Sequence, residues 1–387
     1  MTTKLRAASF QNSLIDSAMI PTNAITSARI AADAITNAKI ADDAVQTENF
    51  ASTVNLGRRN IVINGAMQVA QRNTTQASIG GNNGYWTVDR YYLYAPHTAG
   101  RLTMSQDTDT PNGFGNSIKF DCTTADTSIA ANEYMLLEQS FEGQDVQQFK
   151  KGTSEAEQIT VSFYMKTNKA FTFMCELNDF DNNRVNTQQF TTSTSWTRHI
   201  LTFAGDTSGA LDNDTNKSFG VGIWMHGGSN FTGGTYSANT WQSRASSDNM
   251  RAVGIGSFFD STDNLVRITG LQLEVGSQAT SFEHRSFGEE KMLCYRYYYK
   301  TNQGNHMLKT TSTGTNGDYY WYYYLPIPMR ASPTCTVDGG SDNYNHTASP
   351  SIMARGSLNM ANINVSKTGT ASNAYFTLDG ITADAEL

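Results

Sequence analysis

Along the first fifty residues a large apolar side chain recurs at every fifth position: Phe10, Ile15, Ile20, Ile25, Ile30, Ile35, Ile40, Val45 and Phe50. Neither regular element wants that spacing. A step of five turns a helix by about 500°, so successive Ile residues wander around the cylinder instead of forming a stripe. In a continuous strand an odd step sends each Ile to the opposite face. The underlying unit is ten residues: Asn23–Ala32, then Asp33–Asp42, then a looser copy, Asp43–Ser52. Each copy opens on Asn or Asp, which favour turns by bonding their own backbone. The pattern predicts two short extended pieces per copy with a bend between them.

Such a segment cannot cover its own Ile residues, because one large apolar side chain in five makes no independent core. Repeats of this kind need neighbours. The simplest neighbours are copies of the same chain around one axis, with Ile20, Ile25, Ile30, Ile35, Ile40 and Val45 inward and Thr, Lys and Asp outward. Two other readings stay open. One is an Ala-rich helix on a heptad of Ala24, Ala28, Ala31, Ile35 and Ala38, although Asp42 interrupts it and the large Ile residues lie off its seam. The other is a pentapeptide-repeat solenoid, for which the stretch is short. The expectation carried forward is an oligomeric stalk over residues 1–55, with residues 1–12 outside the repeat as an attachment segment.

After residue 56 the pattern changes to short alternating runs separated by polar loops. Ile61-Val62-Ile63 is a β-branched run closed by Asn64-Gly65, a turn signal. Strands are predicted over 117–122, 158–167, 171–177, 196–203, 219–226 and 266–275. This is the rhythm of a two-sheet antiparallel sandwich, and no βαβ alternation appears. "FGEEKMLCYRYYYK" (287–300) predicts a short helix that runs into a strand. A second strand set follows over 319–326, 334–339, 361–367 and 374–387, punctuated by Pro326, Pro328 and Pro333. A boundary near residue 290 gives a sandwich over 56–290 and a C-terminal β tip over 291–387.

Composition supports an all-β chain with many turns: 31 Gly, 18 Tyr, 19 Phe and 7 Pro in 387 residues. The net charge of −7 argues against nucleic acid, whose binders carry a basic footprint. No apolar run approaches the ~18 residues of a membrane helix, and no apolar stretch after Met1 marks a signal peptide. Four Cys, at 122, 175, 294 and 335, form no CxxC and are expected reduced.

Catalytic patterns are missing: there is no Gly-x-Ser-x-Gly, no His-Glu-x-x-His and no phosphate-cradling glycine loop. No enzyme activity and no cofactor are expected. Asp179, Asp181, Asn183 and Asp212, Asp214, Asn216 each show the alternate-oxygen spacing of a calcium loop, but without its glycine and terminal Glu. Polar turns are the reading taken, and no metal is assigned. Aromatic side chains carry the functional signal, since flat rings cover the C–H faces of sugars while amides and carboxylates bond the hydroxyls. Within 222–242, Trp224 is expected in the sandwich core, and Tyr236 and Trp241 are expected exposed in polar loop. In 319–324 the alternation puts Tyr320, Tyr322 and Tyr324 on one face and Tyr319, Trp321 and Tyr323 on the other, one for packing and one for contact. The candidate ligand-binding residues are therefore Tyr236, Trp241, Tyr320, Tyr322 and Tyr324.

"NIVINGAMQVAQRNT", "GYWTVDRYYLY" and "ITGLQLEVGSQATSFEHRSFGEEKMLCYRYYYK" resemble segments of bacteriophage tail-fibre and appendage proteins, in which an Asn-Gly turn, a Gln-Arg pair and an Asp-Arg pair recur. The N-terminal decapeptides and the final "TADAEL" are similar to features of marine-phage fibres. Tyr91 stands after Asp89-Arg90 where that pattern has Trp. The resemblance implies a homotrimeric virion fibre with a jelly-roll similar to carbohydrate-binding modules, made in the host cytoplasm. Its implied partners are another virion tail or neck protein through the N-terminus and a host-surface glycan or receptor, with neither nucleic acid nor membrane insertion. A purely structural capsid or neck appendage without a specific ligand is the competing reading.

Overall fold

The structure, a computed structural model, describes residues 57–245, 247–301, 306–309, 317–338, 343–344, 351–353, 358–367, 375–378 and 380–387. The stalk positions Ile20, Ile25, Ile30, Ile35, Ile40 and Val45 lie outside the described residues. Residues Arg58–Leu387 form one compact unit.

Thirteen strands build two antiparallel sheets. They are β1 (Thr75–Ile79), β2 (Asn82–Tyr85), β3 (Tyr92–Ala95), β4 (Arg101–Asp107), β5 (Ser117–Thr124), β6 (Tyr134–Glu142) and β7 (Ile159–Thr167), then β8 (Thr172–Asp179), β9 (Arg184–Thr191), β10 (Thr197–Phe203), β11 (Lys217–Gly227), β12 (Gln242–Ser243) and β13 (Leu265–Val275). One sheet has the order β1-β4-β5-β13-β7-β10 and the other β12-β9-β8-β11-β6-β3-β2. Neighbours such as β5 and β13, or β6 and β11, are far apart in sequence, and the chain crosses repeatedly between the sheets. That is the double Greek-key connectivity of a jelly roll, extended at its edges by β1, β2, β3, β4 and β12.

The facing sides of the sheets bury one continuous core. Ile118, Phe120 and Cys122 point into it from β5, and Phe163 and Met165 from β7. Leu93, Leu137, Ile223, Phe173 and Cys175 answer from the other sheet. Strand β13 shows how the period-2 pattern survives an interruption. Val266 and Ile268 face the core, then Leu271 and Leu273 do, which is a change of parity. The register with β7 shifts between Thr269 and Gln272, and Gly270 sits there at φ +65°. An extra residue at a bulge turns the strand so that its apolar residues stay inward. A Cβ on Gly270 would meet Phe114 at 2.8 Å and Tyr164 at 2.9 Å, so glycine is required on space as well as on backbone angle.

Ile61-Val62-Ile63 is not a strand, but Asn64-Gly65 does lie in a turn, over residues 63–66, with Met67 N donating to Asn64 O at 3.0 Å. The segment lies along the end of β13, with backbone bonds from Ile61 N to Leu273 O and from Leu271 N to Gly65 O, and Val62 joins the core. Asn64 is fully buried in the left-handed region at φ +60°. Its side-chain amide donates to Val69 O and Asp89 O and accepts from Val69 N. Gly65 is packed so closely that a Cβ would fall 2.2 Å from Leu271 O.

Helix α2 (Phe287–Tyr295), capped by the Ser286 hydroxyl on Glu289 N, follows the sandwich and leads into β14 (Tyr298–Lys300). The remaining strands are β15 (His306–Lys309), β16 (Gly317–Tyr324), β17 (Thr334–Asp338), β18 (Asn343–Tyr344), β19 (Ser351–Met353), β20 (Met360–Lys367), β21 (Tyr375–Leu378) and β22 (Gly380–Asp384). Among the described residues they pair as three three-stranded antiparallel sheets, β14-β22-β17, β15-β21-β18 and β16-β20-β19. The last strand is thus central to its sheet, and its three following residues return to the sandwich. Arg90, almost fully buried, forms an ion pair with Glu386 and lies 3.4 Å from the Tyr297 ring centroid. Arg72 bonds Asp384 at 3.0 Å and Glu386 at 3.3 Å and stacks on Tyr298. Gln71 binds Asp89, and Arg330 donates to the carbonyls of Ala385 and Glu386. The Gln-Arg and Asp-Arg pairs of the sequence motif therefore hold the C-terminus to the sandwich.

Candidate functional site

In β3 the alternation puts Leu93 and Ala95 into the core and Tyr92 and Tyr94 on the outer face of the seven-stranded sheet. Register then builds a row of rings across that face. Tyr85 pairs with Tyr92, Tyr94 with Leu136, and Tyr134 with Gly227 on β11. Ring centroids lie 4.8 Å apart for Tyr85 and Tyr92, 4.5 Å for Tyr92 and Tyr94, and 6.0 Å for Tyr94 and Tyr134. Phe231 continues the row at 4.7 Å from Tyr134. Tyr85, Tyr92, Tyr94, Tyr134 and Phe231 are all half-buried, so each offers part of a ring to solvent.

Phe231 belongs to the connection between β11 and β13. There the short helix α1 (Ser229–Thr232) and residues 250–255 fold back over the sheet. Beneath them Leu136, Met174, Trp224 and Ala252 form a small second core. Trp224 is thus buried as expected but not between the sheets: it faces outward and is covered by this connection. Plain alternation decides this: Phe219, Val221, Ile223 and Met225 take the inward positions of β11, which leaves Trp224 on the outer face.

Charge on this face is held in pairs. The Glu138 carboxylate accepts from Lys217 Nζ at 2.6 Å, from Ser140 Oγ at 3.1 Å and from the Tyr94 hydroxyl at 3.4 Å. Lys217 also lies over the Phe180 ring at 3.9 Å. Glu176, fully buried, takes two bonds from Arg251, at 2.8 and 2.5 Å, and the guanidinium stacks 4.7 Å from the Trp224 ring. Burial, reinforced by the Glu138 charge, pushes the Tyr94 hydroxyl far above its ordinary range, so it remains a hydrogen-bond donor. At the Phe231 end the row opens on a cleft of about 390 Å³ lined by Ser229, Asn230, Phe231, Ser247, Asp248 and Asn249. Hydroxyl, amide and carboxylate groups there offer both donors and acceptors beside a ring. At the other end the Tyr85 hydroxyl donates to Leu387 O, closing the row against the C-terminus.

The residues expected from sequence lie elsewhere. Tyr236 and Trp241 are half-buried rather than free in the loop. The Tyr236 hydroxyl accepts from Gln189 N at 2.9 Å and its ring packs on the Met174–Trp224 cluster. Trp241 packs on the main core, donates from Nε1 to Ala204 O at 2.7 Å, and has Lys151 over its ring. Polar loop composition did not keep either ring wholly in solvent, because each found an apolar surface on the sheet. In β16 Tyr322 is 55% and Tyr324 71% exposed, whereas Tyr323 is half-buried with its hydroxyl 2.7 Å from that of Tyr299. The side chain of Tyr320 lies outside the described residues. Asp179 is bound by Lys151 Nζ at 2.5 Å and by Asn182, and Asp181 accepts from Asp212 N, so these carboxylates serve the turns. Sequence reasoning missed Tyr92, Tyr94 and Tyr134. The alternation in "YYLY" was the signal for Tyr92 and Tyr94, once β3 was known to lie beside β6.

No family model matches the chain, and no curated protein matches it. Solved structures that align with it include a CBM4 structure, at 7% identity over 55% of this chain and 97% of the other, with a TM-score of 0.29. The CBM22-1 xylan-binding domain from Paenibacillus barcinonensis aligns at 9% identity over 57% and 96%, with a TM-score of 0.27. The enzymatically active domain of tailspike protein 4 from bacteriophage CBA120 aligns at 10% identity over 56% of this chain and 21% of that one, with a TM-score of 0.28. Likeness at this level bears on neither ligand nor partner. Among the described residues no helix is long and apolar enough to cross a membrane.

Proposed function

We propose that this chain is a glycan-binding attachment protein, built as a trimeric virion fibre of the phage tail-fibre type. The observation that carries the glycan reading is the ring row Tyr92–Tyr94–Tyr134–Phe231 leading into a cleft of hydroxyls, amides and a carboxylate. Half-buried rings spaced along the outer sheet face match successive sugar units, and fixed polar groups beside them choose among hydroxyl patterns. The fibre reading rests on the five-residue Ile series, which needs partner chains, and on the sequence resemblance. A purely structural appendage would have no use for such a row. The protein binds and does not turn over its glycan.

A glycan array probed with the full-length chain tests the reading. The wild type should give reproducible hits. Tyr92→Ala with Tyr134→Ala should weaken them about tenfold or more, at ~0.5–1.5 kcal/mol per stacked ring lost, with the melting curve little changed. An array without hits, or hits that survive the double variant, overturns it. Incubation with the bound polysaccharide should release no new reducing ends; sustained release would make the protein an enzyme.

A further inference from the structure

Where the end of β8 and the segment after β10 meet the connection from β6 to β7, a lysine and two aspartates are buried together. The side chain of Lys151 is 3% exposed, that of Asp179 0% and that of Asp206 4%. Lys151 Nζ lies 2.5 Å from Asp179 Oδ2 and 3.0 Å from Asp206 Oδ2. It also donates to Ser208 O at 2.7 Å and to Gly209 O at 2.9 Å. An ammonium has three N–H groups. With two on the carbonyls, one is left for two carboxylates. Arg184 makes up the shortfall at Asp206, donating from Nε at 2.7 Å and from Nη2 at 3.1 Å. At Asp179 the other donors belong to Asn182: its backbone N–H, 3.0 Å from Oδ1, and its side-chain amide, 3.2 Å from Oδ1 and 3.0 Å from Oδ2. Burial raises the Asp206 carboxyl, but the bonds from Arg184 and Lys151 outweigh it and hold it below its ordinary range, so it is ionised and able to take a proton.

Holding an ammonium and two carboxylates out of water is costly, and for a pair that becomes a neutral amide the cost disappears. The nitrogen already stands against the carboxyl. The carboxyl carbon is at most one C–O bond beyond Oδ2, so a small shift reaches the near-attack separation of about 3–3.5 Å. The Trp241 ring, its centroid 5.3 Å from Nζ, lies over the group. Exclusion of water favours a condensation that releases it.

We propose that Lys151 and Asp179 join in an amide bond between their side chains, with Asp206 as the proton carrier. Asp206 takes one proton from Nζ and passes it to Asp179 Oδ2, which leaves a neutral amine facing a neutral carboxylic acid. Nζ attacks Cγ, the N–C bond forms, and the carbonyl pair moves to Oδ1, where the Asn182 donors hold the charge. Return of that pair breaks the Cγ–Oδ2 bond. Asp206 carries a second proton from the nitrogen to Oδ2, which departs as water, and is itself a carboxylate again. The third proton stays on the amide nitrogen, and no oxidant or co-reactant is needed. The bond ties the β6–β7 connection to the end of β8 and so constrains the unfolded chain as any cross-link does. It does not depend on the reading of the outer sheet face.

The test is intact-mass spectrometry of the purified full-length protein under denaturing conditions. The wild type should be lighter than its sequence by one water. After proteolysis one branched peptide should join the segments around Lys151 and Asp179, with no tryptic cleavage after Lys151. Lys151→Arg should restore the full mass, because a guanidinium stays protonated and does not attack. Asp179→Ala should do the same. Asp206→Asn keeps both partners and should leave most of the protein unjoined. Near-UV circular dichroism establishes that each variant is folded, and the wild-type mass and peptide map decide the question even where one is not. A wild type at its full sequence mass overturns the inference, as does a lost water that maps to an aspartyl succinimide or to any pair other than Lys151 and Asp179. Complete joining in a folded Asp206→Asn overturns the role given to Asp206.

Discussion

At the scale of single residues, burial has set the chemistry of two groups. His226 is fully buried, with Nδ1 2.9 Å from Ser257 Oγ, and burial holds it neutral, its pKa lowered from 6.5 to about 4. Between those two values the unfolded chain binds a proton that the folded chain refuses. Its contribution is therefore complete above pH 6.5 and falls away as pH drops toward about 4. Replacing His226 by Gln should flatten the pH dependence of urea stability in that window; an unchanged slope would remove His226 as its source. Arg251 is the other case. Its removal by Arg251→Ala would leave Glu176 charged in a buried site, at a cost of about 3–5 kcal/mol in chemical unfolding, and would uncover Trp224. A loss below ~1 kcal/mol would mean that water replaces the guanidinium.

At the scale of elements, the final residues act as a clasp. Strand β22 sits between β14 and β17, and Glu386 then neutralises Arg90 inside the sandwich wall. Glu386→Ala strands a buried guanidinium, and about 3–5 kcal/mol of stability should go with it. Glu386→Gln keeps hydrogen bonding and should lose less. The measurement is a thermal melt together with hydrogen exchange on β14, where protection should fall first. Equal melting of Glu386→Ala and wild type would show that the clasp adds nothing.

At the scale of the whole molecule, the Ile series asks for company. A fully buried Ile side chain gains about 1.5–3 kcal/mol, which a lone stalk cannot collect. Around a three-fold axis one Ile per chain would fill each level, and the bends at Asn23, Asp33 and Asp43 would reset the face that odd spacing flips. The wild type should sediment as a trimer with slow exchange over residues 20–50. Ile30→Asp with Ile40→Asp should abolish that protection, because unpaired charge in a dry core is very costly. A monomer, or random-coil exchange in the wild type, would end the stalk reading. Deleting residues 1–12 should leave the trimer intact but remove it from particles.

What sequence by itself determined here is local. Period-2 alternation is a property of each strand alone, so the strands over 117–124, 159–167, 217–227 and 265–275 were legible, as were the Ser286-capped helix and its following strand. Cross-strand placement is not local. Which of two faces of β3 meets solvent, and that β3 lies beside β6, depends on pairings between segments some forty residues apart. The ring row therefore became visible only in the folded sheet. The same holds for Trp224, Tyr236 and Trp241: a residue's neighbours in the chain report its polarity, whereas its burial is decided by which remote surface lies within reach. Asn64-Gly65 carried only a turn signal, and the Gln71-Arg72 and Asp89-Arg90 pairs only a resemblance, yet the fold buries Asn64, Asp89 and Arg90 and sets Arg72 and Arg90 against the acids at 384 and 386. Long-range closure carries no signature in the local pattern, because it is the free energy of the whole assembly, not of any segment, that selects it.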